Sequence, residues 1–303
     1  MQQPRKLPAI VAAVIGGSLM AIQARANSGL GQEIGSGVFA ALVSFSVGLL
    51  IITVFTFATK QNREAFASAQ AKIKSREIPW FYVVAGSIGG FFVIMQGVVA
   101  GVVGIALFSI GVVSGSAIAA LILDGFGLFG LARQLIGVRR IAGVVLAIAG
   151  IAVAGEVGSA VPSPLIALPF IAGIGIGFQQ AMNGKFGQLV QSPAVPTFFN
   201  FVAGTTFIAL ALVLLEGFSL PESWPSNPLF YVGGLVGVIF IFMQVQILPK
   251  IGALSMGISI LVGQLVGSVL LDLLVPIAPH PVTINTLLGI ALTMLGAVLV
   301  ARR

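Results

Sequence analysis

Two matched pairs of carboxamide side chains interrupt apolar stretches of this sequence. Gln23 and Asn27 lie in IQARANSGLGQ, and Gln179 and Asn183 lie in FQQAMNGKFGQ. In each pair, the spacing of four residues places both side chains on one face of a helix. A carboxamide both donates and accepts hydrogen bonds, and polar groups at membrane depth tend to face the interior of a helix bundle. We therefore predict that these residues bind a polar substrate.

The asparagines have a structural alternative. Gly29 closely follows Asn27 and Gly184 follows Asn183, so each asparagine could end its helix in a left-handed cap. The alternative applies less well to the glutamines, because their longer side chains reach into the bundle.

Further polar residues in apolar stretches complete the predicted substrate-binding set. They are Arg25, Gln96, Asn200, Gln244 and Gln264. Arg25 could bind an anionic group through paired hydrogen bonds, or its side chain could extend to the membrane surface. The glutamines could line a cavity, or they could form interhelical hydrogen bonds, each worth about 0.6 kcal/mol in membranes.

Two carboxylates, Asp124 and Asp272, close apolar stretches of the chain. A carboxylate costs far less at the membrane interface than at the bilayer centre, which favours solvated helix ends. A carboxylate shielded inside the bundle would instead be a candidate site for proton binding. We keep both residues as proton-site candidates.

The residue types that enzymes and metal sites need are scarce. The chain has no cysteine, which excludes disulfides, thiolate zinc sites and iron–sulfur clusters. Its one histidine, His280, lies in APHP, and we expect neither catalysis nor a bound metal. The phosphate-binding pattern GxxxxGKS/T is absent, so we expect no cofactor and no ATP-driven transport by this chain.

The composition is that of a membrane protein. Of 303 residues, 58% are hydrophobic and 8% are charged, whereas a soluble domain has about 25% charged residues. The mean hydropathy is +1.12. About 20 apolar residues cross the bilayer as a helix, and the apolar stretches are continuous rather than alternating. We predict ten transmembrane helices, at residues 8–26, 36–58, 79–98, 102–123, 139–157, 164–183, 195–217, 229–248, 252–273 and 281–301.

The basic residues are distributed unevenly among the connections. If Arg5 and Lys6 are cytoplasmic, every basic residue except Arg25 falls on the inner side, as expected for an excess of Lys and Arg in cytoplasmic loops. A count of eight helices would place several of them on the opposite face. We therefore expect a multi-pass protein of a bacterial inner (cytoplasmic) membrane with both termini in the cytoplasm. The net charge of +7 then indicates no nucleic-acid partner, because that would need a solvated basic face.

The sequence is internally duplicated. Matched residues lie 156 positions apart in the first two helices of each copy, 148 apart in the next two and 146 apart in the last. The matched pairs include Gln23 and Gln179, Asn27 and Asn183, Phe45 and Phe201, Gly86 and Gly234, Gln96 and Gln244, Asp124 and Asp272, and Gly143 and Gly289.

The duplication predicts an inverted repeat. Each copy has five predicted helices, residues 1–158 and 159–303, and five is odd, so the second copy must enter the membrane from the opposite face. Inverted repeats recur in secondary transporters, whose substrate lies near the bilayer midplane between the repeats.

With the duplication and the motif QxxxNxxxG, the chain resembles the drug/metabolite transporter superfamily, and most of all its YdcZ-type inner-membrane exporters. The resemblance rests on QARANSGLG and QQAMNGKFG, on SFSVG and NFVAG, and on VGQLVGSVLLD at residues 262–272. Ser116 occupies the position in the first copy that Gln264 has in the second, so a glutamine role there fits one copy only. The resemblance implies a ten-helix bundle with inverted pseudo-symmetry that exports or exchanges small molecules.

The sequence favours a secondary transporter of small organic molecules that works by alternating access between the two copies. The alternatives are a lipid-intermediate flippase and a membrane scaffold without transport. We expect a small-molecule substrate and the lipid bilayer as partners, and a protein that is a monomer or a homodimer.

Overall fold

The computed structural model describes residues 6–155, 163–217, 219–275 and 282–301, which are mainly helical and contain no strand. The helices are α1 (Lys6–Ile34), α2 (Gly37–Ala58), α3 (Lys60–Lys74), α4 (Trp80–Val84), α5 (Gly86–Met95), α6 (Gly101–Val103), α7 (Ile105–Phe126), α8 (Val138–Ala154), α9 (Ser163–Val190), α10 (Ala194–Leu215), α11 (Gly233–Leu274) and α12 (Ile284–Ala301). The described ranges leave out residues 1–5 and 302–303, His280, and the predicted boundary between residues 158 and 159.

Long apolar helices make this an all-α membrane protein. Six helical stretches in the described residues are long and apolar enough to cross a bilayer. They are Leu7–Ile34, Gly37–Ala58, Trp80–Val103, Ile105–Phe126, Ala194–Leu215 and Met256–Leu274. Shorter apolar helical stretches cover Gly233–Ile247 and Ile284–Val300. The count of ten spans stays a prediction.

Helix α11 is not a straight rod. Its first residue, Gly233, lies against the Asn27 side chain of α1, while Arg25 Nε donates a 3.0 Å hydrogen bond to the carbonyl of Val275, which ends α11. A straight helix of 42 residues would be about 63 Å long, so its two ends could not reach the same part of α1. The chain therefore reverses within α11. Its two parts are the first arm, Gly233–Ile247, and the second arm, Met256–Leu274.

The packing of α1 on the arms of α11 is repeated by α9 on α5 and α7. Gly17 of α1 lies against the backbone carbonyl of Ile260, and Gly173 of α9 lies against the backbone carbonyl of Val112. The two glycines are 156 positions apart and the two carbonyl residues are 148 apart, which are the offsets of the duplication. The first helix of each copy thus packs against the third and fourth predicted helices of the other copy.

The equivalent helices α2 and α10 pack side by side in opposite directions. At one end, Ser36 Oγ, just before α2, donates a 2.5 Å hydrogen bond to the carboxylate of Glu216, just after α10. At the other end, the ring centroids of Phe57 and Phe198 are 5.8 Å apart. Phe57 is near the end of α2 and Phe198 near the start of α10, so the two helices are antiparallel.

The equivalent helices α8 and α12 show the same relation. Gly143 lies against the carbonyl of Gly296, and Gly150 lies against the carbonyl of Gly289. Gly289 is the equivalent of Gly143 and Gly296 is the equivalent of Gly150, so the start of each helix lies beside the end of the other. Glycine permits this approach because it has no side chain to separate the backbones.

Helix α3 is not among the predicted helices, because its polar, basic sequence is typical of a cytoplasmic loop. Thr59 caps its first turn. The Phe66 ring lies 5.3 Å from that of Phe198 in α10, and Lys72 Nζ donates a 2.9 Å hydrogen bond to the carbonyl of Leu189 in α9. This helix of the first copy therefore packs against the second copy.

Candidate functional site

A small cavity lies between the two copies, bordered by α1, α2, α5, α9, α10 and the first arm of α11. Its volume is about 40 Å³, enough for roughly three water molecules. The polar residues that line it are Gln23, Gln179, Gln180, Asn183, Asn200 and Gln244, and the aromatic ones are Phe45, Phe92, Phe201 and Phe240. None of the described residues that line it carries a charge.

The second polar cluster, which we define as Gln179, Asn183, Asn200 and Gln244, forms much of the polar wall. Asn200 Oδ1 accepts hydrogen bonds from Gln179 Nε2 at 2.7 Å and from Asn183 Nδ2 at 3.3 Å. Gln179 Nε2 also donates to the carbonyl of Ala85 at 3.1 Å. Gln244 is only 3% exposed, and its Nε2 has no partner among the described residues.

The first polar cluster consists of the equivalent residues Gln23, Asn27, Ser44 and Gln96, and it is bonded differently. Asn27 Nδ2 donates a 2.7 Å hydrogen bond to Gln96 Oε1, in the π-helical turn Gln96–Ala100. Ser44 takes the position of Asn200, but its shorter side chain makes no hydrogen bond within the described part of the chain. Of this cluster, only Gln23 lines the cavity.

The two glutamines of the QxxxNxxxG motifs are held in equivalent ways. Gln23 Nε2 donates to the carbonyl of Gly233 at 3.1 Å, and Gln179 Nε2 donates to that of Ala85 at the same distance. Each amide lies against a glycine, Gly237 for Gln23 and Gly89 for Gln179, where a Cβ would come within 3 Å of the amide nitrogen. The glycines thus give each glutamine room to cross from its own copy to the other.

The structure contradicts the cap alternative for the asparagines. Helix α1 continues beyond Asn27 to Ile34, and α9 continues beyond Asn183 to Val190. Both asparagines are at most 3% exposed and lie inside their helices, where their amides bond to other helices. Each asparagine therefore lies on the same helix face as the glutamine four residues before it, as the spacing predicts.

Other residues of the predicted set lie away from the cavity. Asn27 and Gln96 bond to each other, and neither borders it. Arg25 is partly exposed and binds the carbonyl of Val275. Gln264 is buried in the second arm, where its backbone faces Gly17, and it does not line the cavity. The residues of the predicted set that line the cavity are Gln23, Gln179, Asn183, Asn200 and Gln244.

The sequence interpretation missed Gln180 and the four phenylalanines as cavity residues. A signal was present for the aromatic rings. Phe45 and Phe201 are repeat-equivalent, their ring centroids are 5.0 Å apart, and each faces the glycine of the other motif, Gly204 or Gly48. Repeated Phe–Gly pairs on facing helices indicate contact across the copies. No repeat signal marks Gln180, because its equivalent is Ala24.

Both predicted carboxylates are engaged in structural contacts. Asp124 Oδ2 accepts a 2.7 Å hydrogen bond from Arg140, whose side chain is buried. Asp272 accepts hydrogen bonds from the backbone N–H groups of Ile105 at 3.1 Å and Ala106 at 2.6 Å, so it caps the first turn of α7. That turn begins after Gly104, where a φ of +87° breaks the helix.

Comparisons with known proteins place the chain in a family. The profile of the family described as "Putative inner membrane exporter, YdcZ" matches residues 8–153 and again residues 164–299. A solved structure described as "Crystal structure of protein" superposes with a TM-score of 0.59, over 98% of this chain and 96% of that one; at 16% identity, the likeness concerns the fold alone. No curated protein matches the sequence. The resemblance inferred from the motifs is confirmed, and the chain belongs to the YdcZ family of inner membrane exporters.

Proposed function

We propose that this protein is a secondary transporter of small organic molecules, with its substrate site in the central cavity. The observation that carries the proposal is that buried carboxamides from both copies line one cavity: Gln23 from the first copy, and Gln179, Asn183, Asn200 and Gln244 from the second. A scaffold would need its polar groups only to bond one another, whereas Gln244 keeps an unpaired amide beside this space. Export agrees with the family description.

The proposal includes ten transmembrane spans in two inverted five-helix repeats, residues 1–158 and 159–303. Antiparallel packing of α2 on α10 and of α8 on α12 supports the inversion, because equivalent membrane helices that run in opposite directions enter the bilayer from opposite faces. The reversal within α11 supports two spans in that segment.

The proposed mechanism is alternating access. With cytoplasmic termini, the first polar cluster lies toward the outer side and the second toward the cytoplasm. The Asn27–Gln96 hydrogen bond ties α1 to the turn after α5 and supports closure on the outer side. A volume of about 40 Å³ is well below the roughly 300–1,000 Å³ of sites for organic ligands, so substrate entry requires the copies to separate.

Proton coupling, if the transporter uses it, is better assigned to Asp272 than to Asp124. Asp124 is held by the guanidinium of Arg140. Asp272 accepts hydrogen bonds from two backbone N–H groups and has Arg25 as an electrostatic neighbour. We expect Asp272→Asn to remove the pH dependence of uptake while leaving exchange in place. Unchanged pH dependence would rule out this assignment.

Transport is tested with purified protein in liposomes loaded with a bacterial metabolite extract, with efflux followed by mass spectrometry. We expect a subset of small organic solutes to leave faster than from protein-free liposomes. Gln23→Leu and Gln179→Leu should abolish this efflux, whereas Gln246→Leu, a change at an exposed glutamine of the same membrane region, should not. Normal efflux from both variants would contradict the proposed site. Transbilayer movement of a labelled lipid without solute efflux would favour the flippase alternative.

The absence of native cysteine makes the topology directly testable, since each introduced cysteine is the only one present. In right-side-out spheroplasts, an impermeant maleimide should label Glu222→Cys, after α10. It should label Ala67→Cys, in α3, only after the membrane is permeabilised. Equal labelling of both positions in intact spheroplasts would contradict the proposed arrangement.

A further inference from the structure

Gln244 is the polar group of the cavity that the protein leaves unsatisfied. Its side chain is 3% exposed, it lines the cavity, and its Nε2 has no hydrogen-bond partner in the described residues. A buried donor without a partner costs about 1–3 kcal/mol, so such groups usually have a reason to be there. At the wall of a cavity, the simplest reason is a ligand acceptor that completes the hydrogen bond.

The equivalent residue of the first copy, Gln96, also has an Nε2 without a hydrogen-bond partner among the described residues, but Gln96 does not line the cavity. In the first copy, Asn27 bonds to Gln96, the equivalent of Gln244. In the second copy, Asn183 turns instead to Asn200, which has no carboxamide counterpart in the first copy because Ser44 is there. Of these two equivalent glutamines, only Gln244 therefore presents its unpaired Nε2 at the wall of the cavity.

The rest of the lining defines the complementary chemistry. The rings of Phe45, Phe92, Phe201 and Phe240 border the cavity, and no described lining residue is charged. Aromatic rings favour planar aromatic partners in tilted or offset arrangements. A charged ligand would lose its hydration without meeting an opposite charge, which costs much more than burying an uncharged polar group.

We propose that the site selects uncharged molecules that combine a planar aromatic ring with a carbonyl-type acceptor, and that Gln244 is the residue that binds this acceptor. The proposal rests on the proposed substrate cavity and adds the substrate class. The Gln244 amide donates to the ligand carbonyl, while the phenylalanine rings contact the planar face of the ligand.

Three probes with one ring and different charges test this class: nicotinamide, which is neutral, nicotinate, which is an anion, and 1-methylnicotinamide, which is a cation. Binding is measured on the full-length protein in detergent by ligand-induced thermal stabilisation and by equilibrium dialysis. We expect nicotinamide to bind at least about 30-fold more tightly than either charged probe, because only the neutral probe avoids an unpaired charge. Equal binding of nicotinate, or no nicotinamide binding up to about 10 mM, would overturn the proposal.

Substitution of Gln244 tests the assigned residue. Gln244→Met keeps the side-chain length but has no N–H donor, and we expect about 10-fold weaker nicotinamide binding. Gln246→Met is the matched control, since Gln246 is exposed on the same helix and should leave binding unchanged. Wild-type affinity in Gln244→Met would show that Gln244 does not bind the ligand. If that variant does not fold, the three probes on the wild-type protein still decide the substrate class.

The outcome is separable from that of the proposed function. Nicotinamide that binds in detergent but does not exchange across proteoliposomes would contradict the carrier and leave the ligand class standing. Exchange of charged metabolites by a protein that does not bind nicotinamide would contradict the ligand class and leave the carrier standing.

Discussion

The two polar clusters occupy equivalent places in the two copies, yet only one of them forms most of the polar wall of the cavity. The frame around them is shared, since Gln23 and Gln179 make equivalent hydrogen bonds of 3.1 Å to backbone carbonyls. The difference begins at Ser44 and Asn200. The Ser44 hydroxyl does not reach the neighbouring amides, whereas the carboxamide oxygen of Asn200 accepts hydrogen bonds from two of them. The length of one side chain thus gives the cavity between two similar copies an asymmetric polar lining.

The largest effect on stability should come from the glycine packing contacts that the two copies share. Gly86 lies against the backbone of Asn200, and Gly234 lies against the backbone of Ser44. An added Cβ would press on backbone, so Gly86→Ala and Gly234→Ala should each lower the free energy of unfolding by about 3 kcal/mol. Chemical unfolding in detergent measures this, with Gly257→Ala as a control at a glycine that has open space beside it. Very different losses of unfolding free energy for Gly86→Ala and Gly234→Ala would contradict the equivalence of the two packing contacts.

The repeated carboxylates should differ in their contribution to stability. Asp124→Asn removes the charge partner of the buried Arg140 and should cost about 2 kcal/mol, less than for a fully buried pair because Asp124 is 24% exposed. Asp272→Asn keeps an acceptor oxygen for the first turn of α7 and should cost about 1 kcal/mol. The same unfolding measurement compares them, and a larger cost at Asp272 would reverse the ranking.

Exchanging the residue that distinguishes the clusters should change the hydrogen bonding of Gln244. In Asn200→Ser, Asn183 is released to bond the Oε1 of Gln244, as Asn27 bonds the Oε1 of Gln96 in the first copy, and this bond would hold the Gln244 side chain away from a ligand. We expect about 10-fold weaker binding of nicotinamide in equilibrium dialysis, with a smaller effect on stability. Thr205→Ala, on the same helix and outside the cavity lining, is the control. Unchanged binding in Asn200→Ser would show that the cluster difference does not set the site.

The smallest effect should be the coupling of Asn27 to Gln96. A double-mutant cycle of Asn27→Leu and Gln96→Leu should give a coupling energy of about 0.6 kcal/mol, typical of one interhelical hydrogen bond in a membrane protein. The corresponding cycle of Asn183→Leu and Gln244→Leu should give a value near zero, because these two residues are not bonded to each other. Equal coupling in both cycles would contradict the comparison.

Much of the frame was predictable from sequence because it depends on repeated patterns. Apolar stretches marked the long helices, and the matched spacing of Gln23 and Asn27 with Gln179 and Asn183 marked the faces that carry the clusters. Repeated patterns reveal what two copies share. They say nothing about Gln180, whose equivalent is an alanine, or about α3, whose polar sequence has no apolar stretch long enough to suggest a span.

The bonding within the clusters was not predictable, because it depends on distances between side chains of different helices. Sequence spacing places Asn183 and Gln179 on one face, but it cannot tell whether Asn183 turns to Asn200 or to Gln244. For the same reason, Gln96 and Gln264 were predicted to bind substrate, although neither lines the cavity.

In the proposed alternating-access mechanism, helix α3 limits how the two copies can move. It follows the first copy's α2, yet Phe66 and Lys72 attach it to α10 and α9 of the second copy. A relative rotation that keeps these attachments has its axis close to α3. The displacement would then be greatest at the start of α2, near Gly37, and the two copies would separate at the side of the membrane opposite α3.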